Sequence, residues 1–154
     1  MKPLSRRRAR EIALQVLYSL DANADVDPTA ALSFYFDRFA AEERDDQDAA
    51  EESGEEAVDH AYVDTLVREV TEHRAELDDV LGQLSRNWRI ERIARVERTI
   101  LRMALYELKY RDDIPARVSI NEAIELAKRF GADGASAFVN GLLDSALNTL
   151  GIGK

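Results

Sequence analysis

Ser119-Ile120-Asn121-Glu122-Ala123-Ile124-Glu125-Leu126-Ala127-Lys128-Arg129-Phe130-Gly131 is the stretch that decides the class of fold. Its first four residues have the form of a capping box. The Ser119 hydroxyl would accept from a first-turn backbone N–H, and Glu122 would reach back to the N–H of Ser119. The helix so opened runs without glycine or proline to Phe130 and meets Gly131, a natural left-handed terminator. Both ends of one helix are thus written in the chain.

The same signals recur outward from this stretch. Upstream, Asp112-Asp113-Ile114-Pro115 is a turn, because the residue before proline is pushed out of the α region. It ends a strongly apolar helix through Ile100, Leu101, Ala104, Leu105 and Leu108, which a short segment around Trp88 precedes. Before that, Tyr62, Leu66, Val70, Leu77, Val80, Leu81 and Leu84 mark one long amphipathic helix, with His73 on its apolar stripe. Asp27-Pro28 reads as an N-cap and first-turn proline, opening a helix that buries Leu32, Phe36 and Phe39.

Downstream, a last helix covers about Ser136 to Leu150. Its Gly141, in Phe138-Val139-Asn140-Gly141, costs about 1 kcal/mol relative to alanine. Close approach of another helix is the expected return, with Asn140 satisfying a backbone group there. No stretch alternates with period two. The prediction is all-α: one domain over residues 1–154, a bundle of about seven helices.

The 154 residues suffice for a real core, and 45% hydrophobic content argues for a globule. There is no cysteine, which excludes disulfides and thiolate metal sites. No apolar run is long enough to span a bilayer, so a cytoplasmic protein without a membrane partner is expected.

The net charge of −9 argues against nucleic acid until it is mapped. Of 30 acidic and 21 basic residues, ten acids and one arginine fall between Ala40 and Asp59, leaving 20 of each sign elsewhere. That segment has few apolar residues and reads as a solvated loop or loosely helical insertion. The first ten residues, by contrast, carry Lys2, Arg6, Arg7, Arg8 and Arg10 with no acid. Local fields decide binding, so this end can attract phosphate.

On a helical wheel, Ala9, Ile12, Ala13, Val16, Leu17 and Leu20 share one side of the first helix. Arg7, Arg8, Glu11, Gln15 and Tyr18 share the other, with Arg6 and Arg10 at one flank. Guanidinium groups, an amide and a stacking ring are the kinds of group that recognise single-stranded RNA. A solubilising basic terminus, or an extended arm that orders only on binding, is the plainer reading, but the helix dipole mildly disfavours cations at this end, so helix stability does not explain the cluster.

Arg86, Arg89, Arg92, Arg95 and Arg98 recur every third residue, and Arg102 follows. Steps of three drift by about 60° each, so the six cannot share one face. Arg95, Arg98 and Arg102 do cluster, either as a solvated face paired to Glu91 and Glu97 or as a continuation of an RNA path. Glu97 is explained if a helix begins near Val96, which makes it a first-turn acid suited to the dipole. The loop Gly131-Ala132-Asp133-Gly134 is polar and suits docking of a partner.

Catalytic signals are missing. His60 and His73 lack metal-ligand spacing, and no phosphate-binding loop, dinucleotide pattern or serine elbow occurs. The sequence predicts no enzyme, no cofactor and no metal.

Three separated blocks stand out: Met1-Lys2-Pro3 with Arg6-Arg7-Arg8-Ala9-Arg10-Glu11, Ala13, Gln15, Leu17 and Tyr18; Glu97-Arg98 with Ile100-Leu101-Arg102 and Ala104-Leu105-Tyr106-Glu107-Leu108; and Pro115, Ile120 to Lys128, Phe130-Gly131 and Phe138-Val139-Asn140-Gly141 with Leu143-Asp144. In order and spacing they resemble the bacterial NusB family of transcription antitermination factors. The resemblance covers most of the chain. It implies an all-helical fold that binds boxA single-stranded RNA together with the small-subunit ribosomal protein that doubles as NusE. The pair would join elongating RNA polymerase with other Nus factors and suppress premature termination, notably in ribosomal RNA operons.

By the same resemblance Lys2, Arg6, Arg7, Arg8, Arg10, Gln15 and Tyr18 are RNA-binding. Glu97, Arg102, Phe130 and Gly134 are candidates for the partner surface. The acidic insertion is longer than the family pattern, and Gly134 stands where some relatives carry an acid. Competing readings are a scaffold that binds only protein, and an RNA-binding subunit of an enzyme that modifies ribosomal RNA. A homodimer is also compatible with the sequence.

Overall fold

The computed structural model describes residues 5–23, 25–38, 57–85 and 89–151. Lys2, Phe39, Trp88 and the acidic stretch 40–56 lie outside them. Among the described residues there are seven α-helices, one 3-10 turn and no strand beyond an isolated bridge between Ser5 and Val58. The chain clusters into two units, residues 1–68 and 69–154.

In the first unit, α1 (Arg6–Ala22) starts at Ser5, whose hydroxyl accepts from the N–H of Arg8 at 3.1 Å. Such a cap stabilises a helix by about 1 kcal/mol over alanine. The apolar side of the wheel is the buried side: Ala9, Ile12, Ala13, Val16 and Leu17 are all inside, joined by Leu14. A second helix, α2, occupies 28–38. Asp27 caps it as expected, its carboxylate accepting from Thr29 N–H at 3.2 Å. Leu32 is buried, and Phe36 sets its ring edgewise to His60 with centroids 5.6 Å apart. The third helix, α3 (His60–Glu72), is capped by Asp59, whose Oδ1 accepts from Tyr62 N–H at 3.1 Å. Tyr62, Val63, Leu66 and Val67 turn inward.

The single long helix expected from Tyr62 to Leu84 is in fact two. His73 leaves the α region at φ −95°, ψ 12°, and α4 (Arg74–Leu84) follows. The His73 N–H still bonds Glu69 O and its carbonyl still accepts from Leu77, so the joint is a kink without a loop. His73 has the core-edge position read from the stripe. Its ring stacks on Tyr110 at 4.4 Å, and its two nitrogens face Glu69 and Glu76 at 3.4 and 3.5 Å.

The second unit is organised around α5 (Arg95–Tyr110), which packs against α4, α6 (Ala116–Phe130) and α7 (Ala135–Leu150). Every residue of α5 from Thr99 to Leu108 is buried. A helix with neighbours on several sides has no solvent face to keep polar, and burying each of Ile100, Leu101 and Leu105 contributes roughly 1.5–3 kcal/mol. The expected solvated arginine face therefore holds for Arg95, which is exposed, and in part for the half-buried Arg98, but fails for Arg102. Arg102 is only 4% exposed and forks onto Asp78 of α4, with Nε–Oδ1 2.7 Å and Nη2–Oδ2 3.2 Å.

Three further expectations fail for physical reasons. Ser119 is not a cap, because α6 starts at Ala116 after Pro115, whose ring already sets a first-turn φ. Ser119 lies buried within the helix and its hydroxyl donates to Glu107 Oε1 at 2.8 Å. Gly131 does end α6, but in extended backbone at φ −87°. It is glycine for lack of room, since a Cβ there would stand 2.7 Å from Ala127 O and 2.6 Å from Ala135 Cβ. Gly141 meets no close helix: it is exposed, with nothing within 4 Å of where a Cβ would be, and Asn140 is exposed beside it.

Candidate nucleic-acid interface

The beginnings of α1 and α3 lie side by side. Ser5 N–H donates to Ala57 O at 2.7 Å, and Asp59 N–H donates to Ser5 O at 3.2 Å, forming the parallel bridge with Val58. Asp59 therefore belongs to the ordered frame of this end, although the sequence grouped it with the acidic insertion. Two helix N-termini aim their positive ends at one region, and α1 adds arginines there with no acid in its first turn.

The wheel correctly divides the outer face. Arg7, Arg8, Gln15 and Tyr18 are exposed and Glu11 is half-buried, with Arg8 3.7 Å from the Glu11 carboxylate. Tyr18 presents a ring suited to stacking at the far end of the strip. The flank behaves differently from the expectation. Arg10 is 5% exposed, and its guanidinium carbon lies 5.6 Å from the centroid of the Tyr62 ring. Arg6, with a side chain 40% exposed, lies over the same ring at 4.7 Å and reaches to 3.9 Å from Asp59 Oδ2.

These contacts settle the energetics of a cationic helix start. The dipole opposes each cation by about 0.3–1 kcal/mol, while a cation over an aromatic face contributes about 0.5–2 kcal/mol. For Arg6 and Arg10 the ring contact offsets the dipole term.

A second feature lies wholly in the second unit. Glu97 sits in the first turn of α5, where the dipole favours an acid, as the sequence indicated. It is 7% exposed and borders a pocket of roughly 230 Å³ shared with Arg92, Ile93, Ala94, Asp133, Gly134, Ala135 and Phe138. That volume is below the roughly 300–1,000 Å³ of pockets for drug-sized ligands and suits one flat ring or one side chain. Gly134, at the N-cap of α7, is the residue of this loop in the left-handed conformation, φ +84°, whereas Gly131, expected to be left-handed as the terminator of α6, is extended.

Of the four partner candidates, the pocket thus gathers Glu97 and Gly134. Arg102 is taken up by Asp78, and Phe130 is half-buried beneath the Arg129 guanidinium at 5.2 Å. Phe138, Arg92 and Asp133 were missed as lining residues. The available signal was the spacing of Phe138, one helical turn after Gly134, which aims a ring at the loop.

Among the described residues, one group brings possible metal ligands together: Glu69, Glu72 and His73, with ligand atoms within 4.8 Å of one another. Glu69 Oε2 also lies 3.4 Å from His73 Nε2, and the Tyr110 ring stacks on the imidazole. No helix among these residues is long and apolar enough to cross a membrane.

Comparison with known proteins accords with this geometry. The model of the NusB family matches residues 7–148. The transcription antitermination protein NusB of Geobacter sulfurreducens is 44% identical over 147 residues, covering 95% of this chain and 96% of its own length. The solved structure of T. maritima NusB has a TM-score of 0.77 at 30% identity, covering 96% of this chain and 93% of that one. A crystal structure of antitermination factors NusB and NusE in complex with dsRNA has a TM-score of 0.69 at 24% identity, over 94% and 96% of the two chains, a likeness of fold alone. The chain belongs to the NusB family.

Proposed function

We propose that this protein is a transcription antitermination factor that binds boxA RNA together with the NusE ribosomal protein and supports transcription of ribosomal RNA operons. The observation that carries this reading is the outward strip of α1, where arginines, Gln15 and Tyr18 stand exposed in a chain of acidic net charge. Lys2, Arg6, Arg7 and Arg8 neutralise phosphates, Gln15 reads a base edge and Tyr18 stacks on a base. Arg10 contributes field from beneath. The Glu97–Gly134 pocket takes a base or a side chain of the partner, whereas Arg102 and Phe130 support that surface from within.

The relative of the same fold was crystallised with NusE and RNA, which favours the paired mode. The protein acts by assembly with elongating RNA polymerase and other Nus factors in the cytoplasm, without catalysis or cofactor. Residues 1–154 work as one module, since the family model spans both compact units.

The test is binding to a short boxA-like single-stranded RNA at several salt concentrations, with and without the NusE-type protein. Affinity rises with the partner and falls steeply with salt. Tyr18→Ala weakens it at least about fivefold, as loss of a stacked base worth roughly 1–3 kcal/mol requires. Absence of RNA binding under every condition would move the function to protein scaffolding on the same fold.

A further inference from the structure

Tyr62 sits on α3, outside the basic helix, yet its ring carries two arginines of that helix. It is 3% exposed, so the ring cannot itself stack on a base. Arg6 and Arg10 are one turn apart on α1, and their guanidinium carbons lie 4.7 and 5.6 Å from the ring centroid. Asp59, three residues earlier, ties both elements together. Its Oδ1 accepts from Tyr62 N–H at 3.1 Å, its Oδ2 lies 3.9 Å from Arg6 Nε, and its N–H donates to Ser5 O.

An arginine on a helix terminus ordinarily samples many rotamers and loses that freedom when it grips a phosphate. Here the guanidinium carbon already lies over the Tyr62 ring before any ligand arrives. Arg6 also remains 40% exposed, so it can reach a ligand while supported.

We propose that Tyr62 is a positioning residue for RNA, with Asp59 as its anchor: the ring pre-orders the Arg6 guanidinium, backed by Arg10, to receive a backbone phosphate. This rests on the RNA-binding reading above and adds the device that gives one of its arginines a fixed pose. The contact is with phosphate, so the device raises affinity for RNA without regard to sequence.

The experiment measures binding of the full chain to boxA-like RNA across a salt series for Tyr62→Phe, Tyr62→Leu, Arg6→Ala and the Tyr62→Leu/Arg6→Ala double variant. Circular dichroism verifies the fold of each. Phenylalanine keeps the ring face, so Tyr62→Phe binds within about twofold of the parent. Leucine fills the site without a π face and binds about three- to tenfold more weakly, with a shallower salt slope. In the Arg6→Ala background the same leucine substitution changes affinity less than twofold, because its effect passes through Arg6.

Equal losses from phenylalanine and leucine, or an undiminished loss in the Arg6→Ala background, would overturn the proposal. Should Tyr62→Leu fail to fold, Arg6→Lys serves instead. It keeps the charge at an exposed position but lacks the flat group that lies on a ring, and is expected to bind about three- to tenfold more weakly. Binding equal to the parent would count against the proposal. Failure of the RNA reading itself is recognised separately, by a parent protein that binds no RNA and an Arg7→Ala variant without effect.

Discussion

Replacing Asp78 with asparagine removes a carboxylate partner of Arg102, the most deeply placed arginine among the described residues. Arg102 is 4% exposed and makes two hydrogen bonds to the Asp78 carboxylate, at 2.7 and 3.2 Å. Breaking a buried pair from one side costs about 3–5 kcal/mol, because the remaining charge is stranded away from water. The carboxylate side is 26% exposed, so water can solvate part of the site and the cost shrinks toward that of a surface pair. Asparagine also keeps one acceptor for the fork. We therefore expect a loss of about 2–3 kcal/mol, or about 4–12 °C in Tm for a chain of this size.

Urea unfolding followed by circular dichroism measures the loss, with the slope of the transition unchanged. Arg102→Met is the informative companion. It removes the buried charge itself, so it should cost less than Asp78→Asn although it deletes more atoms. A loss below about 0.5 kcal/mol for Asp78→Asn, or a larger loss for Arg102→Met, would refute the account of this pair.

The glycines give a graded second test by thermal unfolding. Gly141→Ala, in open space on an exposed helix, stabilises by about 1 kcal/mol, whereas Gly131→Ala, driven against Ala127 O and Ala135 Cβ, destabilises by about 1–3 kcal/mol. Gly134→Ala has room but not the backbone, at φ +84°, and destabilises by about 1–2 kcal/mol. Tyr106 has its pKa raised above 10.0, chiefly by burial and then by the charge of Glu69. The unfolded chain therefore ionises first. Its contribution is complete below about pH 10 and is lost as pH rises through the folded value, so Tyr106→Phe should flatten the alkaline fall in Tm. Finally, Ala57, which follows the acidic stretch in the sequence, accepts a hydrogen bond from Ser5 N–H at the start of α1. Deleting residues 41–55 should tighten RNA binding at low salt and leave it unchanged at high salt; equal affinity at low salt would remove any screening role.

The legible part of the fold was whatever depended on local periodicity. The Asp27 cap, the inward face of α1, the start of α5 near Val96 and the span of α7 follow from apolar spacing and terminal residues, and the structure has them. What was misread depended on neighbours distant in sequence. Ser119 has the form of a cap, but Pro115 starts the helix earlier and a buried Glu107 claims the hydroxyl. The kink at His73 is invisible to a hydrophobic stripe that continues through it, and its ring stacks on residues more than thirty positions away. At the candidate interface the outward strip was legible. The shared ring beneath Arg6 and Arg10 was not, because Tyr62 lies on another helix across the acidic insertion.

Arginine itself is where sequence reading runs out, and the reason bears on how variants of this protein should be interpreted. Arg10 sits at the edge of an apolar arc and Arg102 on the polar side of its helix, places where many arginines reach to solvent. The structure assigns them inward, one beneath an aromatic ring and one on a carboxylate. Arg7 and Arg8 on α1 remain exposed. An alanine at Arg102 would lower occupancy of the folded state, and with it binding to any partner. An alanine at Arg7 would lower binding at constant stability. Loss of function at the first position is therefore no evidence that it touches a partner unless stability is measured alongside. For the family to which this chain belongs, exposure and salt dependence together identify the arginines that meet RNA, where spacing in the sequence does not.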